Sequence, residues 1–343
     1  MDETRGRRHD HDPLRFGLIG TGRIGQVHAA NIAADPDAEL AWICDPFVDG
    51  AHALAARLGG RVTTDAAEMM ASGGIDAVLV ASPTPTHVDL IAAAVDHGLP
   101  VLCEKPIDLD IARVDALLPR VMSAGVPVAL GFNRRFDPAF REARARVAAG
   151  EIGELEQLSI VSRDPSAPPA AYVGVSGGIF RDMTIHDLDM ARFFLPDIVE
   201  VQATGSTTFD PGAREHGDFD TAVVTLRAST GALVVITNSR HSAVGYDQRI
   251  EAFGSRGSLQ VANALTSLVS VSTATSVEGK PPYQDFFLER YAAAYSAELR
   301  AFIRLARGEA SDSPTFADGR AALVLADAAQ RSAVERVAVP VSL

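Results

Sequence analysis

The feature that most constrains this chain is a strand-like apolar run that ends in three spaced glycines. Leu14–Arg–Phe–Gly–Leu–Ile leads into Gly20–Thr–Gly22–Arg–Ile–Gly25, and a helical stretch, Ile24–Ala34, follows. The spacing is G-x-G-x-x-G, and its place between a strand and a helix gives it meaning. Gly20 permits the tight turn, Gly22 lets a backbone approach a pyrophosphate, and Gly25 lets helix and strand pack closely. The N–H groups at the helix start, those of Arg23 and Ile24 among them, favour a negatively charged ligand. A glycine-rich turn that holds nothing is the competing reading.

The same alternation continues. Apolar runs at Leu14–Gly20, Glu39–Cys44, Ile75–Ala81, Pro100–Cys103 and Val126–Gly131 alternate with helical segments at Ile24–Ala34, Gly50–Leu58, Ala66–Ser72, Thr86–His97 and Ile111–Ala124. Strands apolar throughout, separated by helices, predict a parallel sheet covered on both faces. Right-handed crossovers make it doubly wound, an α/β domain that takes ligands at the carboxyl ends of its strands. Asp45 stands there, placed to accept from ribose hydroxyls and to repel a 2′-phosphate. Pro46 and Phe47 follow it and offer no arginine, so NAD is expected rather than NADP. A solvated strand-end aspartate is the alternative, and the bulky Phe47 could stack on adenine. Ser82–Pro–Thr84–Pro–Thr–His87 follows another run, with Ser82, Thr84 and His87 expected near the cofactor and Thr86 as a helix cap. A helix-start histidine without a role is the plainer reading of His87. Glu104–Lys105–Pro106 ends the next run. The Lys105 ammonium could hold a substrate hydroxyl as it gains alkoxide character. Glu104 is expected to position the loop or contact the ribose, and a strand-end salt bridge is the alternative.

The second half differs. A helix over Asp137–Ala149 stops at Gly150. Strand-like runs follow at Leu155–Ser162, Val199–Thr208, Phe219–Arg227, Ala232–Arg240, Arg249–Gly254 and Ser258–Val261, with a hairpin turn at Ser229–Gly231. They predict an α+β domain with a large, mostly antiparallel open sheet. Helical segments at Phe286–Gly308 and Phe316–Ala333 close the chain. The expected division is a disordered tail at 1–12, a cofactor domain at 13–132, and a substrate and oligomerisation domain at 133–343. The helix at 316–333 is a candidate to pack back on the first domain. Asp182 and His186, four apart near the start of a helix over Thr184–Phe194, share one face, and a histidine beside a carboxylate can act as general base. Asp187 and Asp189 read as charges on the wet face of that helix. No further carboxylate or histidine is clearly placed beside the pair, so no metal is expected.

Charge and cysteine content narrow the classes further. With 31 basic and 44 acidic residues the net charge is −13, which disfavours nucleic acid. Cys44 and Cys103, the two cysteines, lie in apolar runs and read as small buried hydrophobes. No apolar leader opens the chain, and its longest uncharged stretch, Gly257–Val277, is too polar to span a membrane. A soluble, cytoplasmic protein without a membrane partner is expected.

The glycine loop, Glu104–Lys105–Pro106 and Asp182-x-x-x-His186 together resemble the glucose–fructose oxidoreductase / inositol dehydrogenase / rhizopine catabolism family, from Leu14 onward. Gly131–Phe–Asn–Arg–Arg–Phe–Asp–Pro138, Ser162–Arg–Asp–Pro165 and Gly177–Gly–Ile–Phe–Arg–Asp–Met–Thr–Ile–His–Asp–Leu–Asp–Met–Ala–Arg192 resemble its inositol 2-dehydrogenase branch. The resemblance implies a Rossmann domain, NAD, and oxidation of myo-inositol to 2-keto-myo-inositol (scyllo-inosose). It gives catalytic roles to Lys105, Asp182 and His186, with His186 taking the hydroxyl proton. It places Asn133, Arg134, Asp164 and Tyr246 around the polyol, although an Arg134–Asp164 salt bridge and a cross-strand Tyr246 stay open as plainer readings. It also implies a homotetramer formed through the open sheet. The alternatives are the same chemistry on another cyclitol or sugar (scyllo- or chiro-inositol, an aldose, a nucleotide sugar) and a non-enzymatic NAD-binding regulator.

Overall fold

A computed structural model describes residues 12–343, so the tail expected at 1–12 lies, but for Asp12, outside the described residues. The first elements are β1 (Leu14–Ile19), α1 (Arg23–Ala34), β2 (Ala38–Cys44), α2 (Val48–Leu58), β3 (Arg61–Thr63), α3 (Ala66–Ala71), β4 (Ala77–Val80), α4 (His87–Asp96), β5 (Val101–Cys103), α5 (Ile111–Ala124) and β6 (Val128–Leu130). Next come α6 (Pro138–Ala148), β7 (Leu155–Arg163), α7 (Ala170–Val173), α8 (Ile185–Phe194), β8 (Ile198–Ser206), α9 (Pro211–Glu215), β9 (Thr221–Ala228) and β10 (Leu233–Ser239). The chain ends with β11 (Asp247–Gly254), β12 (Gly257–Val261), β13 (Val271–Thr273), β14 (Ser276–Gly279), α10 (Phe287–Arg290), α11 (Ala292–Ala306), α12 (Phe316–Glu335) and β15 (Val339–Pro340).

Two units divide the chain. The first comprises the described residues through Gly131 together with Tyr295–Ala317; the second comprises Phe132–Ala294 and Asp318–Leu343. In the first, six strands pair in parallel in the order β3-β2-β1-β4-β5-β6, the doubly wound arrangement that the alternating runs predict. The three-residue edge strand β3 escapes the sequence pattern because Arg61–Val–Thr63 is not an apolar run. The core of this unit joins Phe16, Leu18, Ile43 and Leu79 of the sheet to Leu299, Phe302 and Ile303 of α11.

That last contact corrects the expected division. The helix belonging to the first unit is α11, not the one at 316–333. The apolar side chains of α11 fill the β1 side of the sheet, Phe302 meeting Phe16 at a ring separation of 6.0 Å. The later helix, α12, stays in the second unit, where Arg135 and Arg192 reach Asp318, Arg181 reaches Asp327, and Ser332 accepts the Ala203 N–H. The expected single helix over Phe286–Gly308 is two, separated at the buried Tyr291, whose ring lies edge-on to Tyr246 and under Arg290.

The second unit is built on a seven-stranded sheet in the order β12-β11-β7-β10-β9-β8-β15, antiparallel except between β7 and β10. Along β9 and β10 side chains alternate: Val224, Leu226, Val234 and Ile236 are buried, while Val223, Leu233 and Val235 remain exposed. Among the described residues no helix is long and apolar enough to cross a membrane.

Candidate functional site

In the first unit the strand order sets Asp45, Gly20, Ser82 and Glu104 side by side, after β2, β1, β4 and β5 respectively. Gly20 has a φ of +98°, and a Cβ on it would come within 2.5 Å of the Ala81 carbonyl oxygen. A Cβ on Gly25 would overlap the Gly20 carbonyl, whereas one on Gly22 would meet nothing within 4 Å. The first and third glycines are thus required by packing, and the second faces open space. Gly22 begins α1 with no side-chain cap, and the start of a helix is where backbone N–H groups and the helix dipole favour an anion. These features fit a dinucleotide pyrophosphate.

Asp45 has protein partners of its own. Its Oδ2 accepts from the Thr21 N–H and hydroxyl, both at 2.7 Å, and its Oδ1 accepts from the Phe47 N–H at 2.8 Å. A carboxylate has about four lone-pair sites, so one is left for a ligand. Phe47 beside it is 81% exposed, a free face for stacking. His87 is buried, with Nδ1 2.8 Å from the Pro106 carbonyl and Nε2 2.8 Å from that of Ser82. It therefore acts through the loops that it braces, the one carrying Ser82 and Thr84 and the one carrying Lys105. Thr86 does not cap α4; its hydroxyl donates back to the Pro83 carbonyl and meets the Ser82 hydroxyl.

Glu104 is likewise turned inward. Its Oε1 lies 2.8 Å from His28 Nε2, and its Oε2 accepts the Lys105 N–H at 3.2 Å. Glu298 on α11 is close enough to feel the Glu104 charge. Burial first, then that charge, pushes the Glu298 carboxyl well above the usual carboxylate range. Neither of its oxygens has a hydrogen-bond partner among the described residues. Both cysteines are buried thiols, and burial raises that of Cys44 to about 11.

In the second unit the segment with Asp182 and His186 differs from its sequence reading. Helical structure begins before Thr184, and Phe180–Thr184 form a π turn that leads into α8. A π turn holds an extra residue, so Asp182 enters with a different phase from that of an unbroken α-helix; such turns are frequent at functional sites. The Tyr172 hydroxyl donates to Asp182 Oδ1 at 2.9 Å, and Arg240 donates to Oδ2 at 3.3 Å. His186 is half-buried, its ring edge-on to Phe132.

Asp187 and Asp189 are not on a wet face. Asp187 is 0% exposed, receives Arg134 at 2.6 Å and the Asn238 amide at 2.7 Å, while Asp189 takes a bidentate grip from Arg135. The correction has a simple cause: α8 is buried on nearly every side, so its charges need partners rather than water. Arg134 thus pairs directly with Asp187, and its second nitrogen donates to the Tyr246 hydroxyl and to Ser162, both at 3.3 Å. Asn133 precedes it in a buried 3₁₀ turn, and the Tyr246 ring lies against Tyr291 and Phe286. Burial and the charge of Asp182 raise the Asp164 carboxyl to about 7, against the opposing pull of Arg134 and Arg240. The structure so brings Arg134, Asp164, Asp182 and Tyr246 into one electrostatic cluster.

Asn238, Ser162 and Arg240 were missed from the sequence. The signal was parity: on β10 the positions of Val234 and Ile236 face inward, and the same parity turns Asn238 and then Arg240 inward. Among the described residues no group of three or more His, Cys, Asp or Glu side chains is placed to hold a metal ion.

Residues 14–132 match the oxidoreductase family with an NAD-binding Rossmann fold, and residues 140–260 match the GFO/IDH/MocA C-terminal domain. The chain belongs to the Gfo/Idh/MocA oxidoreductase family. It is an oxidoreductase whose first unit is an NAD-binding Rossmann fold, and a curated relative and solved structures match it along almost its whole length. An inositol 2-dehydrogenase of Rhizobium meliloti is 46% identical over 94% of this chain and 98% of its own. The crystal structure of a myo-inositol dehydrogenase from Corynebacterium glutamicum is 53% identical, with a TM-score of 0.93 over 96% of this chain and 99% of that one. A scyllo-inositol dehydrogenase from Lactobacillus casei, solved with NAD(H) and scyllo-inositol, is 29% identical with a TM-score of 0.89, over 96% and 99%.

Proposed function

We propose that this Gfo/Idh/MocA oxidoreductase oxidises myo-inositol at one ring hydroxyl to 2-keto-myo-inositol (scyllo-inosose). The observation that carries the reading is the convergence of Arg134, Asp164, Tyr246 and Asp182, from four separate segments, into one polar cluster. An inositol has a hydroxyl on every ring carbon and can pair with such a set, whereas an apolar substrate would leave it unsatisfied. Whole-length similarity to named inositol dehydrogenases supports the same class.

NAD, when bound, supplies the hydride acceptor. Gly20, Gly22, Arg23, Ile24 and Gly25 would hold its pyrophosphate and Asp45 its adenine-side ribose. Ser82 and Thr84 would meet the nicotinamide end, with His87 and Glu104 bracing that loop and the backbone of Lys105. His186 accepts the hydroxyl proton as the carbon-bound hydrogen leaves as hydride. Lys105 donates to the same oxygen as it gains alkoxide character. Asp182 holds His186 and a neighbouring ring hydroxyl, and Asn133, Arg134, Asp164 and Tyr246 fix the rest of the ring. A second reading keeps these roles and prefers scyllo-inositol, favoured by the similarity to the Lactobacillus casei enzyme. The exposed Val223, Leu233, Val235 and Phe253 on one sheet face support a homotetramer formed there. The free thiols Cys44 and Cys103 suit the cytoplasm.

The test is NADH formation over myo-, scyllo- and chiro-inositol, glucose, galactose and xylose, with NAD and then NADP. Turnover strongest with myo-inositol and NAD supports the proposal. Faster turnover of scyllo-inositol selects the second reading, and silence on every inositol overturns both.

A further inference from the structure

Arg240 is the largest fully buried side chain among the described residues, 1% exposed. A guanidinium at that depth is costly unless its donors are matched by anions. Its Nη1 donates to Asp182 Oδ2 at 3.3 Å and its Nη2 to Asp218 Oδ2 at 3.4 Å. The other Asp218 oxygen accepts the Ile179 N–H at 2.9 Å, and Ile179 immediately precedes the π turn that carries Asp182. These groups close a ring: helix entry to Asp218, Asp218 to Arg240, Arg240 to Asp182, and Asp182 back along the chain to the helix entry. The backbone of Arg240 is itself tied, its N–H donating to the Asp220 carbonyl at 2.8 Å. Asp220 in turn gathers the N–H groups of Thr208, Phe209 and Asp210.

We infer that Arg240 is a positioning residue for the oxidation: by clamping Asp182 to Asp218 it sets the phase of the π turn and so the aim of Asp182. The inference rests on the proposed function, in which Asp182 touches substrate. Arginine suits the task where lysine does not, because its planar fork reaches two carboxylates at once. Tyr172, on the other Asp182 oxygen, is partly exposed, so the fixed side of the clamp is Arg240.

The test is a double-mutant cycle on the full chain with myo-inositol and NAD. Arg240→Met is expected to lower kcat about ten- to a hundredfold, the order that a misplacement of about 1 Å costs. It should leave the Kd for NAD unchanged. In an Asp182→Asn background the same change should cost less than about twofold, because residues that act as one unit are not additive. Arg240→Lys, which keeps the charge and loses the fork, should recover only part of the loss. Equal losses in both backgrounds overturn the inference, as does full turnover in Arg240→Met. If Asp182→Asn itself turns over at the parent rate, the inference falls together with the role of Asp182 on which it rests. Should Arg240→Met not fold, Arg240→Lys and Asp218→Asn carry the same cycle, and additive losses there overturn the inference equally.

Discussion

Two buried carboxyl groups show how differently the halves of this enzyme treat charge. Glu298, in the NAD-binding unit, is 1% exposed, has neither oxygen hydrogen-bonded among the described residues, and is driven by burial and by Glu104 toward its neutral form. Asp187, in the second unit, is 0% exposed, yet Arg134 and Asn238 both grip it. Around it the pattern repeats, with Asp189 on Arg135, Asp218 and Asp182 on Arg240, and Asp137 on Arg290. The contrast fits the proposed ligands. A dinucleotide brings its own anions, and the first unit meets them with backbone N–H groups at a helix start. The polyol proposed as substrate is neutral and would cancel no charge, which fits a second unit whose buried charges are paired internally.

The largest expected effect would break this contrast from the side of chemistry. Lys105→Met should cut turnover about 10²–10⁴-fold, the order lost with a positioned electrostatic partner, while fluorescence titration shows NAD binding retained. Unchanged turnover would leave the reaction to the second unit alone. Next, Asp187→Asn strands the Arg134 charge and should cost about 3–5 kcal/mol in urea unfolding, whereas removing both partners with Arg134→Met and Asp187→Leu should cost less. If the single and double changes cost the same, the internal cancellation of charge is not what holds the site.

How far the chain could be read in advance followed the same line. The places of Gly25 and Asp45 were legible because their contacts lie within one strand–helix–strand unit, Gly25 against Gly20 and Asp45 against Thr21, the latter pair 24 residues apart. Asp187 and Asp189 were misread because the rule that helix charges face water fails on a buried helix. Their partners, Arg134 and Arg135, lie 53 and 54 residues away across the fold. Arg240 sits 58 residues from Asp182 and carries no local motif, only its inward parity on a strand. The π turn had no signal in the helical spacing of Asp182 and His186, since it inserts a residue that periodicity does not see.

Smaller effects sharpen the comparison through pH. The Asp164 carboxyl is raised to about 7, so it ionises beside Asp182 as pH rises through that value. A raised folded-state value means that stability is full below the unfolded value of about 4 and is lost as pH climbs toward about 7. Asp164→Asn should flatten both that decline in thermal stability and the pH dependence of KM for myo-inositol over the same window. A profile identical to the parent would remove Asp164 from the pocket's titration. The smallest effect belongs to Glu298→Gln, expected within about 1 kcal/mol of the parent at neutral pH, because an already neutral carboxyl is replaced by a neutral isostere. A loss as large as that of Asp187→Asn would show Glu298 to be ionised and paired, and would erase the contrast.

The placement of α11 has a consequence for how the protein is made. Leu299, Phe302 and Ile303 complete a core whose first strand begins at Leu14. Domains generally fold as units, the N-terminal one first as it leaves the ribosome. Here the first-made core, which α1 and α2 already line with Ala29, Ile32, Ala51 and Leu54, lacks the α11 side chains until nearly all of the second unit has been synthesised. The half that emerges first therefore completes its core only when the chain is almost finished.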